Sequence, residues 1–272
     1  MTPRRIRTPL LRTTRLLQSC CLLLLAVWLL PPPLHAQING IENAHLVSVV
    51  NLEGAVYHVQ GVDLDAEHIW VTSVDSEGQR AWLHQFSRAT AKLERQVDLT
   101  DGPRYHPGGF SVHGDSIWVP VAEYRPHSSA VIEEFDRHTL VLKQKILVPD
   151  HLGCLAVTPD GLLAGNWDSK ELYVLDMSGK QIRVIENPTN NNYQDMKFDH
   201  GMLVASGTIT RTTGAVDWFA WPSMKLVRRL RSGATDRGKA YTAEAMAVVG
   251  NDLYFVPEDV HARLFHFAIS AQ

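Results

Sequence analysis

Short apolar triplets alternate with polar residues and glycine along this chain, and the arrangement returns five times. Val62-Asp63-Leu64, Phe110-Ser111-Val112, Leu155-Ala156-Val157, Met196-Lys197-Phe198 and Met246-Ala247-Val248 open the units. Each is followed by a second apolar run: Ile69-Trp70-Val71, Ile117-Trp118-Val119, Leu162-Leu163-Ala164, Met202-Leu203-Val204 and Leu253-Tyr254-Phe255. The units begin at His58, His106, His151, Asn192 and Thr242, a period of about 41–50 residues. That period, with several short strands in each unit, is the mark of a β-propeller. No segment shows sustained helical periodicity.

Four units each predict four strands. In the first these are residues 62–64, 69–74, 81–86 and 93–99, separated by turn-forming residues. The fifth offers only three strands, at 246–248, 253–256 and 264–267. A β-branched run at 46–52 stands apart from the repeats and supplies the missing outer strand. Pairing it with the last strand closes the ring and removes open sheet edges. The expected fold is therefore all-β, a five-bladed propeller closed by an N-terminal strand.

The first 36 residues read as a signal peptide. Arg4, Arg5, Arg7, Arg12 and Arg15 precede an apolar run from Cys20 to Leu30, with Ala36 at a plausible cut site. An uncleaved anchor is the alternative. Residues 37–272 then form one domain, expected in the periplasm or outside a bacterial cell. Cleavage leaves Cys154 as the one cysteine, so no internal disulfide is available. The formal net charge of −3 includes the arginines of the leader, so the remainder is more acidic still. No basic block follows, which argues against nucleic acid, and no later stretch could cross a membrane as a helix.

In a propeller the residues that begin the innermost strand face the channel mouth. Aligning the repeats builds rings there: His58, His106, His151, Asn192 and Thr242, then Gln60, Gly108, Gly153, Gln194 and Glu244, then Asp195 and its equivalents. Three imidazoles beside carboxylates suit a Zn, Fe or Mn site on His58, His106 and His151. They equally suit acid–base catalysis by those histidines with Glu244. Hydrogen bonding to loop carbonyls is the structural alternative. Gln60, Gln194 and Asp195 are candidates for positioning a substrate, and Gly108 and Gly153 for leaving it room. The second strands end in Asp75, Glu123, Asp168 and Asp259, and Arg125 and Arg211 follow in the loops as anion contacts. Asp168 joins the substrate-binding set. Cys154 reads as a small packed residue rather than a nucleophile.

At His58–Gly61, residues 102–109, 165–168 and 193–198 the chain resembles an uncharacterised family of secreted bacterial proteins, a domain of unknown function. The resemblance implies a propeller with a shared site and names no activity. Tyr57-His58-Val59-Gln60-Gly61 is also similar, more distantly, to the first inner strand of the five-bladed glutaminyl cyclases. In the second blade of those enzymes stands Glu-Gly, where this chain has Gly108-Gly109. The expectation is an exported propeller enzyme that acts on a small polar or anionic substrate by hydrolysis, elimination or cyclisation. The alternative is a non-catalytic propeller that binds a ligand or protein.

Overall fold

The computed structural model describes residues 40–259 and 261–270, and the leader read at residues 1–36, with Cys20 and Cys21, lies outside them. Among the described residues every regular element is a β-strand. β1 (Ala44–Asn51) precedes the first blade, formed by β2 (His58–Leu64), β3 (His68–Asp75), β4 (Arg80–Ser87) and β5 (Leu93–Asp98). The second comprises β6 (Arg104–Pro107), β7 (Ser111–His113), β8 (Ser116–Glu123), β9 (Ala130–Asp136) and β10 (Leu142–Val148). The third is β11 (Cys154–Thr158), β12 (Gly161–Gly165), β13 (Glu171–Leu175) and β14 (Gln181–Glu186). The fourth is β15 (Asn192–Asp199), β16 (Met202–Thr210), β17 (Thr213–Ala220) and β18 (Lys225–Ser232). β19 (Ala245–Val249), β20 (Asp252–Val256) and β21 (Arg263–Ile269) complete the set.

Each blade is an antiparallel sheet in sequence order, and the fifth runs β1-β21-β20-β19. The N-terminal strand therefore closes the ring as expected, with Ala44 opposite Ile269 and Asn51 opposite Arg263. In the second blade the inner strand is broken. β6 and β7 pair with one strand, β8, on either side of Gly108-Gly109.

Burial falls from the axis outward. β2 is buried over six of seven residues, whereas most of β5 is exposed. The apolar core is divided into five clusters, each lying between neighbouring blades. Val62, Val71 and Phe86 of the first blade meet Ala247, Val256 and Leu264 of the fifth. Trp70 and Leu83 meet Phe110, Ile117 and Val119 of the second. Burial of large apolar side chains stabilises by about 1.5–3 kcal/mol each, so the ring is held mainly by packing between sheets.

A polar stitch runs through this core at the axis. Asp195 is fully buried, and its Oδ2 accepts the backbone N–H of Val62 and of Met246, each at 3.1 Å. Its Oδ1 accepts from Lys197, whose Nζ also donates to the Phe110 carbonyl at 2.6 Å. Asp63 takes the N–H of Val112 at 2.7 Å. The fourth blade is thereby tied to the first, second and fifth.

Candidate functional site

The inner strands begin, and the β3–β4, β8–β9, β12–β13 and β16–β17 turns open, at one end of the ring. Register shows it directly: His58 lies opposite Val74, His106 opposite Ala122 and Asn192 opposite Thr208. The chain beyond β20 reaches the same end and carries Asp259. There Nδ1 of His58 donates to Oδ1 of Asp259 at 2.8 Å, and the Val59 N–H donates to the same oxygen at 3.2 Å. The two side chains remain 32% and 34% exposed, so the pair can meet a ligand.

The bond to Asp259 holds the His58 imidazolium above the usual histidine range, against the opposing effect of burial. Burial pushes Asp259 up, but the bond and charge of His58 more than offset it and leave the carboxyl lowered. Glu244 lies close enough to feel His58, Asp259 and Lys239. Its own burial dominates and pushes it up to about 7. His58 and Glu244 therefore both hold a proton more firmly than usual, beside the lowered Asp259 in one mouth, a setting in which protons can be given and taken near neutral pH. Lys239 sits on the loop between β18 and β19, which Arg237 anchors to the buried Glu258 at 2.9 Å.

His106 and His151 form a different centre. His106 stacks on Tyr124, with ring centroids 4.2 Å apart and planes at 16°. Its centroid is 5.4 Å from that of His151 and 5.8 Å from that of Trp167. His151 meets Trp167 edge-on at 4.6 Å, and its Nδ1 donates to the Glu123 carbonyl at 2.9 Å. Burial, reinforced by the charges of His151 and His58, pushes His106 down to about 3. His151 is also lowered by burial. Both rings are neutral at pH 7.

This arrangement corrects several expectations. His58, His106 and His151 each keep a different neighbour, the Asp259 carboxylate, the Tyr124 ring and the Glu123 carbonyl, and are not gathered as one ligand set. Among the described residues no three His, Cys, Asp or Glu side chains are grouped to hold a metal ion. Asp195 does not line the mouth; both its oxygens serve the axial stitch, and burial pushes it up to about 7. Arg125 is spent on Glu123, with Nε and Nη2 at 3.0 and 2.8 Å from one carboxylate oxygen. Arg211 is exposed at the tip of the β16–β17 hairpin, and Asp168 pairs with Lys170.

Gln60 is buried and donates to its neighbouring Val59 carbonyl at 2.9 Å. Gln194 is partly buried on the same ring. Gly108 does not leave space for a ligand. A Cβ there would lie 2.3 Å from the Gly153 carbonyl oxygen, so glycine permits the second and third blades to touch. At Gly153 a Cβ would sit in ordinary contact, 3.4 Å from the Asn166 carbonyl oxygen, so a small side chain would fit there. Cys154 is buried and its thiol pushed up to about 12 by that burial, so it is no nucleophile.

Tyr124, Trp167 and Lys239 escape a reading based on inner-strand repeats. Tyr124 directly follows β8, and Trp167 lies two residues past the end of β12, immediately before Asp168. They are 39% and 38% exposed.

Residues 78–198 match the model of a family of unknown function (DUF6454). No curated protein matches the sequence. Among solved structures, one similar fold is a protein of unknown function from Bacteroides caccae. It is 12% identical over 75% of this chain and 72% of that one, with a TM-score of 0.51. Another is the PQQ-bound aldose sugar dehydrogenase of Streptomyces coelicolor, 9% identical over 85% and 99% of the two chains, with a TM-score of 0.50. At these identities the likeness is one of fold.

Proposed function

We propose that this propeller is an exported enzyme whose axial mouth performs acid–base chemistry on a small polar substrate. The observation that carries the reading is the solvent-open His58–Asp259 pair beside Glu244, whose carboxyl is pushed up to about 7. In this reading His58, held protonated by Asp259, donates to a leaving or developing oxyanion. Glu244 takes a proton from substrate or water, in a hydrolysis, elimination or cyclisation. Gln60, Gln194 and the neutral His106 and His151 orient the substrate. The engaged Arg125 removes the main support for an anionic substrate. Export rests on the basic and apolar character of residues 1–36.

The test is a screen for turnover with wild-type protein and with Glu244→Gln. A substrate consumed by the wild type should lose at least a hundredfold in kcat in the variant. Undiminished turnover in Glu244→Gln would remove the acid–base reading. The second reading, a propeller that binds a ligand without transforming it, draws support from the exposed rings of Tyr124 and Trp167. Saturable binding with no turnover would favour it.

A further inference from the structure

The tryptophans of the described structure fall into two groups and one exception. Trp70 and Trp118 are buried. Trp82, Trp218 and Trp221 each lie under a guanidinium, from Arg80, Arg228 and Arg183, at 5.7, 5.3 and 5.5 Å from the ring centroid. Trp167 is 38% exposed, and among the described residues no cation covers it. Tyr124, in contact with it at 6.2 Å between centroids, is open in the same way.

Cations are close by but held elsewhere. Arg125, next in sequence to Tyr124, is drawn to Glu123 by two bonds. Lys170, three residues past Trp167, pairs with Asp168. The rings behind the two aromatics, His106 and His151, carry no charge to oppose a cation. His106 also keeps a buried Nδ1 without a partner. An electron-rich face of this kind attracts an ammonium or guanidinium within about 6 Å of its centroid, and the molecule's own arginines show that preference at the other two partly exposed tryptophans, Trp82 and Trp221.

We propose that the uncovered faces of Trp167 and Tyr124 receive an organic cation, the alkylammonium or guanidinium group of the ligand that enters this mouth. The proposal rests on the reading of this face as the ligand site and adds the charge class of the ligand. It replaces the anionic character that Arg125 and Arg211 suggested in the sequence. The cationic group lies on the aromatic side of the mouth, which leaves the rest of the ligand to extend toward His58 and Glu244.

The probes are tetramethylammonium, choline and methylguanidinium, with 3,3-dimethyl-1-butanol as the uncharged shape-match of choline. Calorimetry on the full chain should show at least one cation binding saturably, and choline at least tenfold tighter than the uncharged alcohol. Trp167→Leu, a change at a half-exposed site that the fold tolerates, should weaken the cation at least tenfold. Trp221→Leu should leave it unchanged. The proposal is overturned if none of the three cations binds, if the alcohol binds as well as choline, or if Trp167→Leu binds like wild type. Glu244→Gln separates the two readings. Cation binding retained with turnover lost supports both; cation binding absent with turnover lost retains the acid–base reading alone.

Discussion

The imidazole of His58, on the first strand of the first blade, donates to the carboxylate of Asp259, 201 residues further along the chain and 2.8 Å away. The bond crosses the seam where the ring closes, so it serves the mouth and the closure together. Its pH window follows from the two shifts. His58 is raised, so its contribution is full below 6.5 and is lost as pH rises through its folded value. Asp259 is lowered, so its contribution is full above 3.8 and is lost as pH falls through its folded value.

Asp259→Asn should therefore cost most stability between pH 4 and 6.5, by about 1 kcal/mol for a half-exposed pair. The same change should lower the His58 titration, because the bond to Asp259 is the largest cause of its rise. Imidazole shifts followed by NMR against pH measure this. An unmoved His58 titration would show that the pair does not govern its proton.

Glu244 gives the opposite sign to Asp259. Its folded carboxyl keeps a proton up to about 7, whereas the unfolded chain releases it near 4.5. Over that interval the folded state binds more protons, so wild-type stability falls as pH rises. Glu244→Gln cannot titrate and escapes this loss. The stability of the variant relative to wild type should therefore grow by up to about 3 kcal/mol between pH 4.5 and 8. Urea midpoints of the two proteins across pH are the measurement. A difference that stays constant with pH would show that Glu244 is ionised normally.

Asp195 is fully buried, and the groups it satisfies come from three blades. Asp195→Asn leaves the Lys197 ammonium without its counter-charge in the core, which should cost about 3–5 kcal/mol. Lys197→Met should cost a similar amount by stranding the carboxylate. The double variant should lose clearly less than the sum, since neither charge is then left alone. Additive losses by denaturant unfolding would mean that the two groups act independently.

The parts of this molecule that depend on periodicity were legible in the chain. Alternation at Val62-Asp63-Leu64 and its four counterparts locates the inner strands, and β1 fills the gap left by the fifth unit. Rings aligned by repeat also place His58, His106, His151 and Glu244 at one end. Orientation was not legible, because a repeat position fixes a backbone site and leaves the neighbours free to claim the side chain. Tyr124 claims His106 by stacking, Glu123 claims His151 through its carbonyl, and Asp259 claims His58. Asp195 was misplaced for a related reason: its side chain turns into the axial core, where two backbone N–H groups receive it. Glycine at 108 looked like space, yet its meaning lies in the Gly153 carbonyl of the next blade, which no single-repeat pattern contains.

β1 supplies the last prediction. Its pairing with β21 covers the edge of a strand whose Leu264, Phe265, Phe267 and Ile269 are buried. β1 itself is mostly exposed and carries no Asp, Glu, Lys or Arg, so it contributes chiefly through backbone pairing. A chain that begins at Leu52 would leave β21 as an open edge between two blades, a template for association with other chains. That truncation should lower the denaturation midpoint and produce concentration-dependent aggregates. A peptide of residues 40–51 added in trans should restore both, because the missing element is a single strand with a fixed register from Ala44 to Asn51. A truncated protein with an unchanged midpoint and no aggregation would show that the other four blades and the axial stitch at Asp195 hold the ring without this seam.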